Sequence, residues 1–181
     1  MLAMTAFCGV ALLVGCHQPD NADCAPHAAT NSPPVTNTTF HLNQAQPKLP
    51  TVKLWLGAEE LRTEVATTLT QIATGMMFRE KMGESEAMLF VFGAPDQRSF
   101  YMKNCKVALS AAYIDAEGTI LEVVPLNPGV ETPVPSKSDK VQYVLEVNQG
   151  WFERHEVRPG AVIRTERGTL RQSFAGQAML R

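Results

Sequence analysis

The sequence predicts a mainly β domain, a compact β-sandwich or barrel-like body with one principal helix. Three observations carry this expectation. About six to eight short runs have strand character, turn residues separate them, and only one stretch shows clear helical apolar spacing. No internal repeat interrupts the pattern. The 181 residues suffice for one such domain. Residues 51–166 carry it, preceded by a leader over 1–15 and a tether over 16–50, and followed by a tail over 167–181.

Val52, Leu54 and Leu56 alternate with Thr51, Lys53 and Trp55, the pattern of a strand with one buried face. Gly57 turns the chain, and Leu61 to Ala66 pairs back. Thr68 and Gln71 form a capping box, which satisfies orphan N–H groups at a helix start. Leu69, Ile72, Ala73 and Met76 then make a helical apolar stripe. The unbroken apolar run Ala87 to Phe92 reads as a strand buried on both faces. Gly93 to Asp96 is a turn, and Arg98 to Met102 a further short strand.

Val107 to Ile114 and Thr119 to Val124 flank the hairpin turn Asp115-Ala116-Glu117-Gly118. Pro125 to Lys140 contains four prolines and reads as a long loop, mobile or functional. Val141 to Asn148 is a clear strand, Trp151 to His155 a helical turn, and Ala161 to Arg164 a last strand. From Gly168 the patterning is weak, and the tail is expected to fray.

Met1 to Gly15 is almost wholly apolar or small. It is too short to span a bilayer, which takes roughly 20 residues, and has the length of a signal-peptide apolar region. It ends Leu13-Val14-Gly15-Cys16, which resembles the lipobox of bacterial lipoproteins, although no Lys or Arg precedes Cys16. In that class the cysteine sulfur carries a diacylglycerol, and acyl chains together anchor the protein stably. The stretch from His17 to Pro50 lacks apolar periodicity and reads as a flexible tether spanning on the order of 30 Å.

The expected location is the cell envelope, with the domain facing the periplasm. His17 after the cysteine, in place of the aspartate of inner-membrane lipoproteins, favours the outer membrane. The membrane is one partner, through Cys16. A glycan, a peptide or an envelope protein is the other.

The formal charge of -2 and the scattered basic residues supply no field for nucleic acid. His17, His27, His41 and Cys24 fit no zinc spacing, and no Gly-rich fingerprint offers a phosphate cradle. No metal or cofactor is expected.

Four segments in order, Gly75-Met76-Met77-Phe78-Arg79, Met88-Leu89-Phe90-Val91-Phe92, Tyr101-Met102-Lys103-Asn104 and Val144 to Phe152, resemble the domain-of-unknown-function 192 family over roughly residues 52–164. The resemblance implies a mainly β, sandwich-like domain with one helix and implies no activity. It also marks departures. Tyr101 stands where the family usually has Trp, Cys105 where it has Thr, and Ala87 where it has Gly. Ala108 and Ser110 lie near its usual Pro and Asp, and its arginines are absent around Gln71 to Thr74.

Glu146 stands between Leu145 and Val147 in a strongly apolar strand, where a carboxylate is costly unless paired. Lys103 is the first candidate partner and Arg79 the second. Lys103 beside Asn104 offers a cation and an amide to a carboxylate, a sulfate or a sugar hydroxyl. Arg79, Lys103, Asn104 and Glu146 therefore form the candidate ligand-binding set, with scaffold roles as the alternative reading. Tyr101, Tyr113, Trp55 and Trp151 could stack on a ring, though core packing is the commoner fate of such residues.

Cys105 is near enough to Lys103 for its thiol to be activated, or is simply a small buried residue. A Cys24–Cys105 bridge is compatible with an oxidising compartment. The domain's one histidine, His155, sits in a charged segment expected to be exposed, so a nucleophile–base pair has little support.

Three functions stay open. The first is a non-enzymatic envelope module binding a polar ligand such as a glycan or peptide. The second is an enzyme acting on envelope carbohydrate with Glu146 or Asp115 as acid or base. The third is a structural or partner-binding lipoprotein without a small-molecule site.

Overall fold

A computed structural model describes residues 40–176. The expectations for the leader, for Cys16 and its lipid, and for His17, Cys24 and His27 lie outside the described residues.

Ten strands and three short helices follow one another. They are β1 (Thr51–Leu56), β2 (Glu59–Ala66), α1 (Leu69–Thr74), β3 (Glu86–Asp96), β4 (Ser99–Phe100), β5 (Leu109–Ile114) and β6 (Ile120–Leu126), then β7 (Val134–Pro135), β8 (Val141–Asn148), α2 (Trp151–Arg154), β9 (Ile163–Thr165), β10 (Gly168–Thr169) and α3 (Leu170–Phe174).

Eight of the strands form one mixed sheet in the order β10-β9-β1-β2-β3-β8-β5-β6, and β4 pairs with β7 as a small second sheet. The pair β2–β3 is parallel, with Glu64 opposite Met88, because the connection passes through α1 and the 75–85 segment. The sheet curls until its ends approach. The amides of Ile120 and Ile163 donate to the carbonyls of Ala161 and Gly118, at 2.9 Å each. The body is therefore a folded-over sheet that does not close as a barrel.

The period-2 pattern divides the core between the two faces. Leu89, Val91, Tyr143, Leu145, Val147, Trp151 and Phe152 fill the inner face. Met88, Phe90, Tyr113 and Val144 point to the outer face. That face is covered by α1, the 75–82 segment and the 97–107 segment. This double cover explains why β3 reads as a continuous apolar run.

Several expectations change. Leu69 is 51 % exposed and outside the apolar stripe, because α1 ends at Thr74 and its buried side is set by Ile72, Thr74 and the following Met76. The end of the expected tether is docked. The Leu42 amide donates to Thr74 Oγ1 at 3.0 Å, and the buried Gln46 amide group donates to the Gln71 and Gly75 carbonyls at the end of α1.

The expected frayed tail folds through Phe174, with Thr169 and Gln172 forming a second capping box and Leu170 buried. The Pro-rich loop is pinned. Its β7 pairs with β4, the Met102 amide donates to the Val130 carbonyl, and the Tyr113 hydroxyl donates to the Val134 carbonyl.

Candidate functional site

Glu146 projects from the middle of β8 onto the outer face, between Met88 on β3 and Ala111 on β5. Ala111 is itself fully buried in the core of that face. Two segments close over it. One runs from the end of α1, where Gly75 turns with φ 46°, and a Cβ there would come within 3.3 Å of the Phe90 ring. Glycine is what lets this segment pass so close above β3. The other segment brings Phe100, Tyr101 and Cys105.

Between them lies a cavity of about 330 Å³. Met76, Met77, Phe90, Phe100, Cys105 and Glu146 line it, with Gln97, Arg98 and the half-exposed Tyr101 also along its wall. It is a largely apolar recess containing one carboxyl, a common form of small-molecule site.

Glu146 is 4 % exposed, and its Oε2 has no hydrogen-bond partner. Burial pushes its carboxyl up to about 8, so it is mostly protonated at neutral pH. Burial, and then the neighbouring Glu146, push the Cys105 thiol up to about 12. The Tyr113 hydroxyl is raised as well, chiefly by burial. Cys105 is therefore a buried neutral thiol, the second of its two sequence readings, and is not activated by Lys103.

The four candidate residues are not brought together. Arg79 forms a buried bidentate pair with Glu64, Nη1 to Oε1 and Nη2 to Oε2 at 2.9 Å each. Burial raises the Glu64 carboxyl, but hydrogen bonds from Arg79, the Leu49 amide and Lys48 outweigh it and hold it below the usual range. Lys103 is half-exposed and approaches Glu131 at 3.9 Å, a weak surface pair. Asn104 is exposed and holds a left-handed backbone, φ 57°. Of the set, Glu146 alone lines the cavity. The expected Glu146–Lys103 and Glu146–Arg79 pairs are absent: Arg79 is held by Glu64, and the Lys103 ammonium lies out toward the exposed Glu131.

Asp115 and Glu146, the two alternatives for acid or base in the enzyme reading, are not neighbours either. Asp115 Oδ1 accepts the Glu117 and Thr119 amides of its own turn. It lies just past the end of β5, four residues from Ala111, the register partner of Glu146, a distance on the order of 13 Å. His155 is not exposed as expected. It stacks on Trp151 at 4.3 Å and faces Glu59 at 3.1 Å. The Pro-rich loop contributes nothing to the cavity wall.

Sequence reasoning passed over Met76, Met77, Phe100 and Arg98 as site residues. Their one available signal was that they lie in or beside the motifs that cover β8. Among the described residues no cluster of His, Cys, Asp and Glu could hold a metal ion.

The family model described as DUF192, Uncharacterized ACR, matches residues 52–165. The chain belongs to the DUF192 family. Its four recognisable segments are the parts that build this site: two floor strands, β3 and β8, and the two covering turns. Two solved structures resemble this DUF192 chain. One is a protein of Sinorhizobium meliloti 1021 described as a candidate transcription regulator, 29 % identical, with 67 % of this chain and 98 % of that chain covered at a TM-score of 0.62. The other is a protein of unknown function from Novosphingobium aromaticivorans DSM 12444, also 29 % identical, with 64 % and 86 % covered at a TM-score of 0.61. No curated protein matches the chain.

Proposed function

We propose that this DUF192 protein is a lipid-anchored envelope module that binds a small, largely apolar ligand over Glu146. The anchor reading rests on the apolar leader ending at Cys16. The binding reading rests on one observation: a buried carboxyl oxygen without a partner borders an open cavity large enough for a small organic molecule. An unsatisfied buried acceptor costs about 1–3 kcal/mol, and a ligand that satisfies it recovers that cost. The cavity offers one polar anchor inside apolar walls, so it suits a compact ligand, such as a peptide side chain, better than a glycan with many hydroxyls.

The test is ligand-observed NMR of the full chain in detergent against a panel of small amphiphilic molecules. Ala73 lines the cavity, so Ala73→Trp should fill it and abolish the signal, and Glu146→Leu should abolish it for ligands with a polar group. Equal binding to wild type and to both variants would overturn the reading. Incorporation of labelled palmitate that is lost in Cys16→Ala checks the anchor, and absence of incorporation into the wild type would remove it.

A further inference from the structure

We infer that the cavity over Glu146 takes a small organic ammonium, with Glu146 as its counter-ion and the surrounding aromatic rings as its cage. This rests on the binding reading above and names the ligand class. Three observations carry it together. First, no described cation pairs with Glu146, since Arg79 is held by Glu64 and Lys103 lies toward Glu131. The positive charge that would stabilise the ionised carboxylate is thus missing from the protein side.

Second, the rings of Phe90, Phe100 and Tyr101 line the same cavity. Aromatic faces attract alkylated ammonium groups through their quadrupoles, and the attraction grows when water is excluded. Third, the one described cation on the cavity wall is committed to other partners. The Arg98 guanidinium sits 4.1 Å from the centroid of the Phe92 ring, while its Nη2 and Nε donate to the Ala94 and Val141 carbonyls. Arg98 is thereby committed to the wall and does not serve as the partner of Glu146.

The size of the cavity, about 330 Å³, accommodates an ammonium with a few carbon atoms rather than a bare ion. Binding balances in charge. The neutral Glu146 carboxyl loses its proton to solvent, and the ligand cation takes the proton's place against the carboxylate. The titratable groups packed around Glu146 are Cys105 from the covering turn and Tyr113 from β5, with Arg98 on the cavity wall. Cys105 and Tyr113 are neutral throughout the physiological range, so Glu146 alone supplies the pH dependence.

The test titrates the full chain in detergent with choline and with its neutral carbon isostere 3,3-dimethyl-1-butanol, by calorimetry at pH 6, 7 and 8. A primary amine, n-butylammonium, separates alkyl amines from quaternary headgroups as the source. Choline or n-butylammonium should bind at least tenfold tighter than the isostere. Affinity should rise nearly tenfold per pH unit below pH 8, with close to one proton released per ammonium at pH 6.

Glu146→Gln should erase both the preference and the pH dependence. Tyr101→Leu, at the half-exposed rim, should weaken choline several-fold without touching the fold. Equal binding of choline and the isostere would overturn the ammonium assignment while leaving the cavity as a binding site. No binding of any of the three probes would also overturn it, and the Ala73→Trp comparison then decides the cavity separately.

Discussion

The Phe78 amide donates to the Asn104 carbonyl at 2.8 Å, and both residues hold left-handed backbones, φ 62° and 57°. This backbone bond joins the two segments that cover Glu146, which the Lys106–Glu80 ion pair also links. A left-handed backbone costs an ordinary residue about 1–2 kcal/mol, and Asn tolerates it better than most. Asn104 is thus a backbone device with an exposed side chain rather than a ligand contact. Asn104→Gly should leave stability within about 0.5 kcal/mol, and Asn104→Val should lower it by about 1–2 kcal/mol. Urea unfolding checks both.

The Glu64–Arg79 pair makes an equally specific prediction. Arg79→Ala leaves a carboxylate buried with only the exposed Lys48 and the Leu49 amide beside it, and should cost about 3–5 kcal/mol. Arg79→Lys should recover little, because an ammonium cannot make the two parallel bonds. Glu64→Leu with Arg79→Met should recover most of the loss. A double-mutant cycle in urea gives the coupling directly.

Stability should depend on pH through Glu146. The folded chain keeps this carboxyl protonated to about 8, whereas the unfolded chain releases the proton near 4.5. Between those values the unfolded state binds fewer protons, so the group lowers stability by up to about 1.4 kcal/mol per pH unit as pH rises. Glu64 acts in the opposite sense, since its lowered carboxyl supports the fold above its unfolded value and withdraws that support as pH falls through its folded one. Glu146→Gln should therefore flatten the decline from pH 5 to pH 8 and leave the acid limb in place. Thermal unfolding across pH measures both.

Cys105 should be inert. A thiol pushed up to about 12 and 9 % exposed has almost no thiolate at pH 8. Its reaction with an aromatic disulfide reagent should be at least a hundredfold slower than that of free cysteine, and should reach the free rate in denaturant. Lys103→Ala should change stability by less than about 0.5 kcal/mol, since its partner is distant and exposed.

Local pattern carried much of this fold into the sequence. The alternation in β1, the hairpin turned by Asp115, the capping box of Thr68 with Gln71 and the doubly buried β3 were all legible there. The same capping signature at Thr169 and Gln172 was present too, yet the weak apolar pattern around it concealed a folded end anchored by Leu170. The docked segment before β1 has no periodicity to read, because amide hydrogen bonds from Leu42, Gln46 and Leu49 to distant residues hold it.

For the site, the cost of a carboxyl between Leu145 and Val147 singled out Glu146. Its surroundings were not legible. Which cation reaches a buried carboxylate depends on long-range pairing, and the parallel β2–β3 crossing gives Arg79 to Glu64 instead. The cavity itself lies where the segments after α1 and around Phe100 meet over Glu146, a matter of tertiary geometry rather than local pattern.

The most direct test is the titration of the Glu146 side-chain carboxyl by carbon-detected NMR in the full chain, with and without tetramethylammonium. A midpoint near 8 in the free protein, moving downward with the cation, is the predicted result. A midpoint near 4.5, unchanged by the cation, would mean that the carboxyl is solvated or already paired, and would contradict the site described above.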